Sequence, residues 1–257
     1  MRFLLVLLLL AAPAAAQSRL EAAAALSVEV LPGWRESRAT HVAALRVRLR
    51  PGWRTYWRRA GEGGISPLFD WRRSRGIAAV EPRWPAPQVF RGAGGVRSIG
   101  YVEDFVLPLA IRVARADGRA RLRGRLEMGV CREVCLPVTL AVDAALPAGG
   151  RPDPAIRAAL RDGPRAMRSN ARCAVAPTPG GLRVTAALEA PAQGGAEAVV
   201  IEPPDPSIFV SDADMRRTGR SLSATADLRG AGLALDRARL RITVIGEDGA
   251  VEMVGCR

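Results

Sequence analysis

The chain has 257 residues, 49% of them hydrophobic and 5% aromatic, a balance that belongs to a folded globular protein rather than a disordered one. Its formal net charge of +13 comes from arginine alone, with no lysine present. Many of those arginines alternate with apolar residues, as in Arg121-Leu122-Arg123, which describes the wet face of a strand. No helix-turn-helix, zinc-finger or RNA-binding signature accompanies them, so nucleic acid is not an expected partner.

Arg2, an apolar run over residues 3–10 and small residues ending Ala14-Ala15-Ala16 read as a secretory signal peptide, residues 1–16, cleaved before Gln17. The apolar run is roughly half of the ~20 residues a membrane span needs, and no comparable run follows. The mature chain is therefore expected to be soluble and exported. Its length suffices for two ordinary hydrophobic cores.

Period-two patterns follow. In residues 41–50, Ala43, Leu45, Val47 and Leu49 alternate with Arg46, Arg48 and Arg50; in Phe105–Val113 the odd positions are apolar. Such alternation predicts antiparallel sheet with one face on a core. Turn clusters at Pro51-Gly52, residues 61–64, residues 92–95 and residues 116–118 separate the segments, as in a sandwich of short strands. Three prolines and two glycines in residues 147–154 mark a break that no central strand tolerates. Asp153 then caps a helix of about two turns with Pro154 at its first position and an apolar stripe of Ile156, Ala159 and Leu160. Alternation returns with Leu182/Val184/Ala186/Leu188, Leu222/Ala224/Ala226/Leu228 and Leu240/Ile242/Val244. The predicted fold is all-β: antiparallel β-sandwich domains over 17–147 and 171–257, joined by a Pro/Gly linker and short helix over 148–170.

Four cysteines in an exported chain point to disulfides. Cys131 and Cys135 would stand ~13 Å apart on one straight strand, so pairing requires a turn between them. The flanks supply one. Ala120, Leu122, Leu126, Met128 and Val130 alternate with charged residues before Cys131, and Leu136, Val138, Leu140 and Val142 are the apolar set after Cys135. A three-residue hairpin loop joining these strands sets the cysteines opposite each other, with Cα atoms ~4.5–5.5 Å apart. Both fall on the odd-numbered, wetter register, where a thiolate can reach sulfur. Closing so small a loop removes little unfolded-state entropy, so stability is a weak reason for this pair. Arg132 beside it favours a thiolate and Glu133 opposes. Cys173 and Cys256 would instead close more than eighty residues and form a structural disulfide worth ~4–5 kcal/mol.

Three ordered motifs, residues 52–57 (Gly-Trp-Arg-Thr-Tyr-Trp), residues 100–104 (Gly-Tyr-Val-Glu-Asp) and residues 129–137 (Gly-Val-Cys-Arg-Glu-Val-Cys-Leu-Pro), resemble the periplasmic amino-terminal domain of the thiol:disulfide interchange protein DsbD. The resemblance covers roughly residues 27–146. It implies an immunoglobulin-like sandwich in the periplasm that takes electrons from a membrane-embedded carrier and passes them to thioredoxin-like or disulfide-bonded proteins. Cys131 and Cys135 match the redox pair, Tyr56 an aromatic residue beside it, and Phe90, in residues 88–98, the aromatic tip of a cap loop. The resemblance favours Cys135 as the sulfur that forms the mixed disulfide. Three residues between the cysteines, rather than five, and a second β-domain are closer to the suppressor-of-copper-sensitivity B proteins. DsbD itself continues into membrane and thioredoxin-like domains, so the carrier is expected on a separate chain. No cofactor and no metal are expected, and a monomer is the working expectation. The alternatives are an inert hairpin staple with Tyr56 and Phe90 as ordinary core aromatics, a copper site drawing on Cys131, Cys135, Met128 and His41 as Cu(I) ligands, and a non-redox protein-binding module.

Overall fold

The computed structural model describes residues 21–91, 95–115, 118–230 and 234–257; residues 1–16, expected from the sequence to be a signal peptide, lie outside them, as do residues 92–94 and 116–117 of the expected turns. In chain order the first half forms β1 (Leu26–Arg35), β2 (Thr40–Leu49), β3 (Arg54–Tyr56), β4 (Leu68–Asp70), β5 (Ile77–Pro82), β6 (Gln88–Arg91), β7 (Arg97–Tyr101), β8 (Phe105–Val113), β9 (Ala120–Cys131) and β10 (Cys135–Leu146). One sheet has the order β1-β2-β8-β5 and the facing sheet β10-β9-β3-β7-β6, with β4 added to β9. Their inner faces meet on Leu45, Val47, Leu107, Leu109, Ile111, Leu122, Leu126 and Met128, so the alternation read in the sequence does set which side of each strand is buried.

The linker helix α1 (Pro154–Arg161) begins as anticipated: Asp153 accepts hydrogen bonds from the amides of Ala155 and Ile156, and Pro154 occupies the first turn, where its missing N–H costs nothing. Its apolar stripe is narrower than the sequence suggested. Ile156 is buried among Leu31, Trp34, Val42 and Ala44, whereas Leu160 is exposed. The helix crosses the outer face of the first sheet and seats one residue there. For the same reason β2 is buried on both faces over Val42–Leu45 and, between its ends, reaches water at Arg46 and Arg48, which pair with Glu29.

The second half repeats the architecture with β11 (Arg165–Ala166), β12 (Arg172–Thr178), β13 (Gly181–Glu189), β14 (Ala198–Glu202), β15 (Phe209–Val210), β16 (Asp214–Thr218), β17 (Ser221–Arg229), β18 (Arg241–Gly246) and β19 (Gly249–Val254). Its sheets run β11-β19-β18-β14 and β12-β13-β17-β15, with β16 on β17. The pairing is antiparallel except for the short β11–β19 contact, which is parallel. Cys173, near the start of β12, is bonded to Cys256, just past β19, with Cα atoms 5.7 Å apart. Arg257 donates its amide to Ala171 O and accepts from the Cys173 amide, so the final residues are held in place.

The two sandwiches share a packed junction. Ala198, Ile245 and Ala250 join the core of the first half. Beside them the Arg58 guanidinium makes a bidentate pair with Glu202 at 2.9 and 2.8 Å, also reaches Glu252, and lies 3.8 Å from the centre of the Trp57 ring. Arg59 and Arg97 donate to the carbonyls of Ile208 and Ala213 across the same boundary.

Candidate functional site

The β9–β10 hairpin has the predicted register: Cys135 faces Cys131, Leu136 faces Val130 and Pro137 faces Gly129. The two sulfurs are bonded and the Cα atoms are 4.1 Å apart, slightly closer than the hairpin argument required. Arg132, Glu133 and Val134 make the exposed loop between them, Val134 being 62% exposed.

The expectation that both cysteines occupy a wet face is overturned. Cys131 is 1% exposed, and only Cys135 keeps partial access to solvent. Alternation fails here because this end of the odd-numbered face is roofed by other segments. Tyr56, Ala60, Ile65 and Phe90 pack on the disulfide as a separate apolar cluster. Arg121, Arg123 and Arg125, on the same face farther down β9, remain exposed.

Tyr56 is placed by β3. That strand has three residues, inserted between β9 and β7, with Arg54 opposite Cys131 and Thr55 opposite Val130. The buried Thr55 hydroxyl donates to Gly129 O at 2.7 Å and fixes β3 against the cysteine hairpin. The Tyr56 ring then lies in a slot that two glycines leave open. A Cβ on Gly129 would stand 2.6 Å from Ile65 Cβ and 2.8 Å from the Tyr56 ring, and one on Gly64 would stand 2.5 Å from that ring. From this slot Tyr56 Oη reaches to 3.0 Å of Cys135 Sγ. A disulfide sulfur carries no proton, so the hydroxyl is the donor. Burial raises the Tyr56 pKa while the charge of Arg54 works against that rise; the hydroxyl therefore stays protonated and able to donate near neutral pH.

Phe90 lies on a strand rather than at a loop tip. β6 pairs with β7, Phe90 opposite Ser98, and the ring is 6.4 Å from that of Tyr56, centroid to centroid. The glycine-rich residues 92–94 next to it lie outside the described residues. The Phe90 part of the roof over the disulfide is thus carried by a strand, β6.

The possible copper ligands do not converge. Met128 is on the even-numbered face of β9, in the core. His41 is buried on β2 in the other sheet, its Nε2 2.6 Å from Pro32 O. Burial and the nearby Arg35 charge hold its pKa below the ordinary imidazole value, against the pull of the Pro32 carbonyl. Among the described residues no three His, Cys, Asp or Glu side chains form a group able to hold a metal.

Arg54, Thr55, Gly64, Ile65 and Gly129 belong to the site and were not singled out in the sequence. Arg54, Thr55 and Gly129 fall inside the motifs quoted above, but their roles depend on β3 meeting β9 across more than seventy residues, which no local pattern reports. No helix among the described residues is long and apolar enough to cross a membrane.

Comparison with known proteins gives two findings. Residues 16–147 match the family described as thiol:disulfide interchange protein DsbD, N-terminal. The crystal structure of the N-terminal periplasmic domain of ScsB from Proteus mirabilis superposes with a TM-score of 0.64, covering 91% of this chain and 94% of that one at 22% identity. That likeness establishes a shared fold through both sandwiches. No curated protein matches the chain.

Proposed function

Because the chain belongs to the family of the DsbD amino-terminal domain, we propose that Cys131 and Cys135 form a thiol–disulfide exchange centre that relays electrons in the periplasm from a membrane-embedded carrier to thioredoxin-like or disulfide-bonded proteins. The observation that carries this reading is the asymmetry of the pair: Cys131 is buried, whereas Cys135 is partly open and hydrogen-bonded by Tyr56.

A thiolate of the carrier attacks Cys135 Sγ, forms a mixed disulfide and expels Cys131 as a thiolate, which takes a proton. The carrier's second thiol then closes its own disulfide and releases Cys135. Two electrons and two protons have entered the pair, and the carrier is oxidised by the same amount. In the outward step the Cys135 thiolate attacks a disulfide of the client. Cys131 resolves the mixed disulfide, restoring the Cys131–Cys135 bond and leaving the client as a dithiol. The Tyr56 hydroxyl donates to the Cys135 thiolate and so favours the nucleophilic form. The reaction is carried by sulfur alone.

Cys131→Ser leaves Cys135 without its resolving partner and should accumulate mixed-disulfide adducts in periplasmic extracts run without reductant; Cys135→Ser should accumulate none. Equal reduction of a disulfide client by the wild-type protein and the double serine variant would end the proposal. A second sandwich over 171–257, stapled by Cys173–Cys256, serves in this reading as a structural partner of the redox sandwich over 17–147.

A further inference from the structure

We propose that Arg54 is a positioning residue that latches the β6–β7 hairpin over the Cys131–Cys135 disulfide and thereby sets how readily small thiols reach Cys135. The inference rests on the exchange reading for the reaction it guards, but the latch itself is read from contacts that do not depend on any client.

Arg54 faces Cys131 directly across β3 and β9, so its stem flanks the buried sulfur. Its guanidinium then does three things at once. One nitrogen donates to Arg91 O, at the end of β6, at 3.1 Å. The other terminal nitrogen donates to Arg132 O, in the loop between the cysteines, at 3.4 Å. The guanidinium carbon lies 5.3 Å from the centre of the Phe90 ring, within cation–π range. The cap arm β6 and the cysteine loop lie on opposite sides of β3 in the sheet, and this β3 side chain reaches both. Phe90 in turn lies against Tyr56, in the small apolar cluster that holds Cys131 and on which Cys135 also packs. The planar fork matters here, because a lysine ammonium is a point charge that does not span two carbonyls in fixed directions.

Loss of the latch should raise the fraction of molecules with the cap lifted. The test is the rate at which dithiothreitol reduces the disulfide in the full chain, followed by quenching and thiol counting. Arg54→Met, which keeps an apolar stem, should speed reduction roughly tenfold, the change expected when a cation–π contact and a hydrogen bond to the cap are lost. Arg54→Lys should fall between the two. Phe90→Leu should also speed reduction, and the double variant should be faster by less than the product of the two single effects, because the Arg54–Phe90 cation–π contact is lost in both. Unfolding midpoints in denaturant identify any variant whose fold has failed, and such a variant is replaced by Arg54→Gln. A wild-type rate in well-folded Arg54→Met, or additive effects in the double variant, overturns the latch. Failure of the exchange reading would appear elsewhere, as a wild-type protein that reduces no protein disulfide while the dithiothreitol rates still follow the order above.

Discussion

Tyr56 Oη donates to Cys135 Sγ at 3.0 Å across 79 positions of sequence, and this single hydrogen bond distinguishes the two sulfurs chemically. Once the disulfide is reduced, a hydroxyl so placed would donate to a Cys135 thiolate, and a hydrogen bond to a charged acceptor is worth about 1.5–3 kcal/mol. Tyr56→Phe keeps the ring in its slot and removes the donor. Alkylation of the reduced protein by iodoacetamide across pH should shift its midpoint upward by about one unit or more for Cys135. An unshifted midpoint would show that the hydroxyl does not act on the thiolate.

Gly129 is required by space rather than by backbone conformation. An added methyl would meet Ile65 Cβ at 2.6 Å and the Tyr56 ring at 2.8 Å. Gly129→Ala should therefore cost about 1–3 kcal/mol in urea unfolding, the usual penalty of overpacking. It should also displace Tyr56 from Cys135. Ile65→Ala in the same chain should recover part of the loss.

The two disulfides should differ in what their removal costs. Cys173–Cys256 spans 83 positions and Cys131–Cys135 spans 4. In the loop-entropy account these correspond to about 4.5 and about 2 kcal/mol. Paired serine substitutions, compared by denaturant midpoint, should destabilise the protein markedly more at 173 and 256. The reverse order would mean that the Cys131–Cys135 hairpin carries a structural load that its loop length does not predict.

His41 makes stability depend on pH. Burial is the main cause of its lowered pKa, and the Arg35 charge adds to it. The unfolded chain, with an imidazole near its ordinary value of about 6.5, binds more protons than the folded one just below that pH. The contribution is therefore complete above about pH 6.5 and is lost as pH falls toward the folded value. Unfolding free energies of the wild type should decline between about pH 7 and pH 5, and His41→Gln should flatten that decline.

What the sequence disclosed and what it hid divide along the range of the interactions. The Cys131–Cys135 register was legible because period-two alternation on both sides fixes a hairpin locally. The Asp153–Pro154 start of the helix was legible because its signal spans a few residues. The burial of Cys131 was not, since it depends on Tyr56, Ala60, Ile65 and Phe90 arriving from elsewhere. Alternation reports which side of a strand a residue occupies; it does not report whether something lies on that side. Val42 and Ala44 show the same failure on the other sheet, where Ile156 of the linker helix covers a face that alternation would leave in water. Arg58 and Glu202, 144 positions apart, gave no sign in the sequence that they would pair.

The junction where Ala198, Ile245 and Ala250 enter the first core, with the Arg58–Glu202–Glu252 cluster beside it, bears on how the protein would survive injury to its backbone. The exposed linker residues 147–152 are where a protease would cut. Two fragments joined by a shared apolar seam and a partly buried ion cluster would remain associated after that cut. A nicked molecule would then give two bands under denaturing conditions and elute from gel filtration as a single particle of the original size.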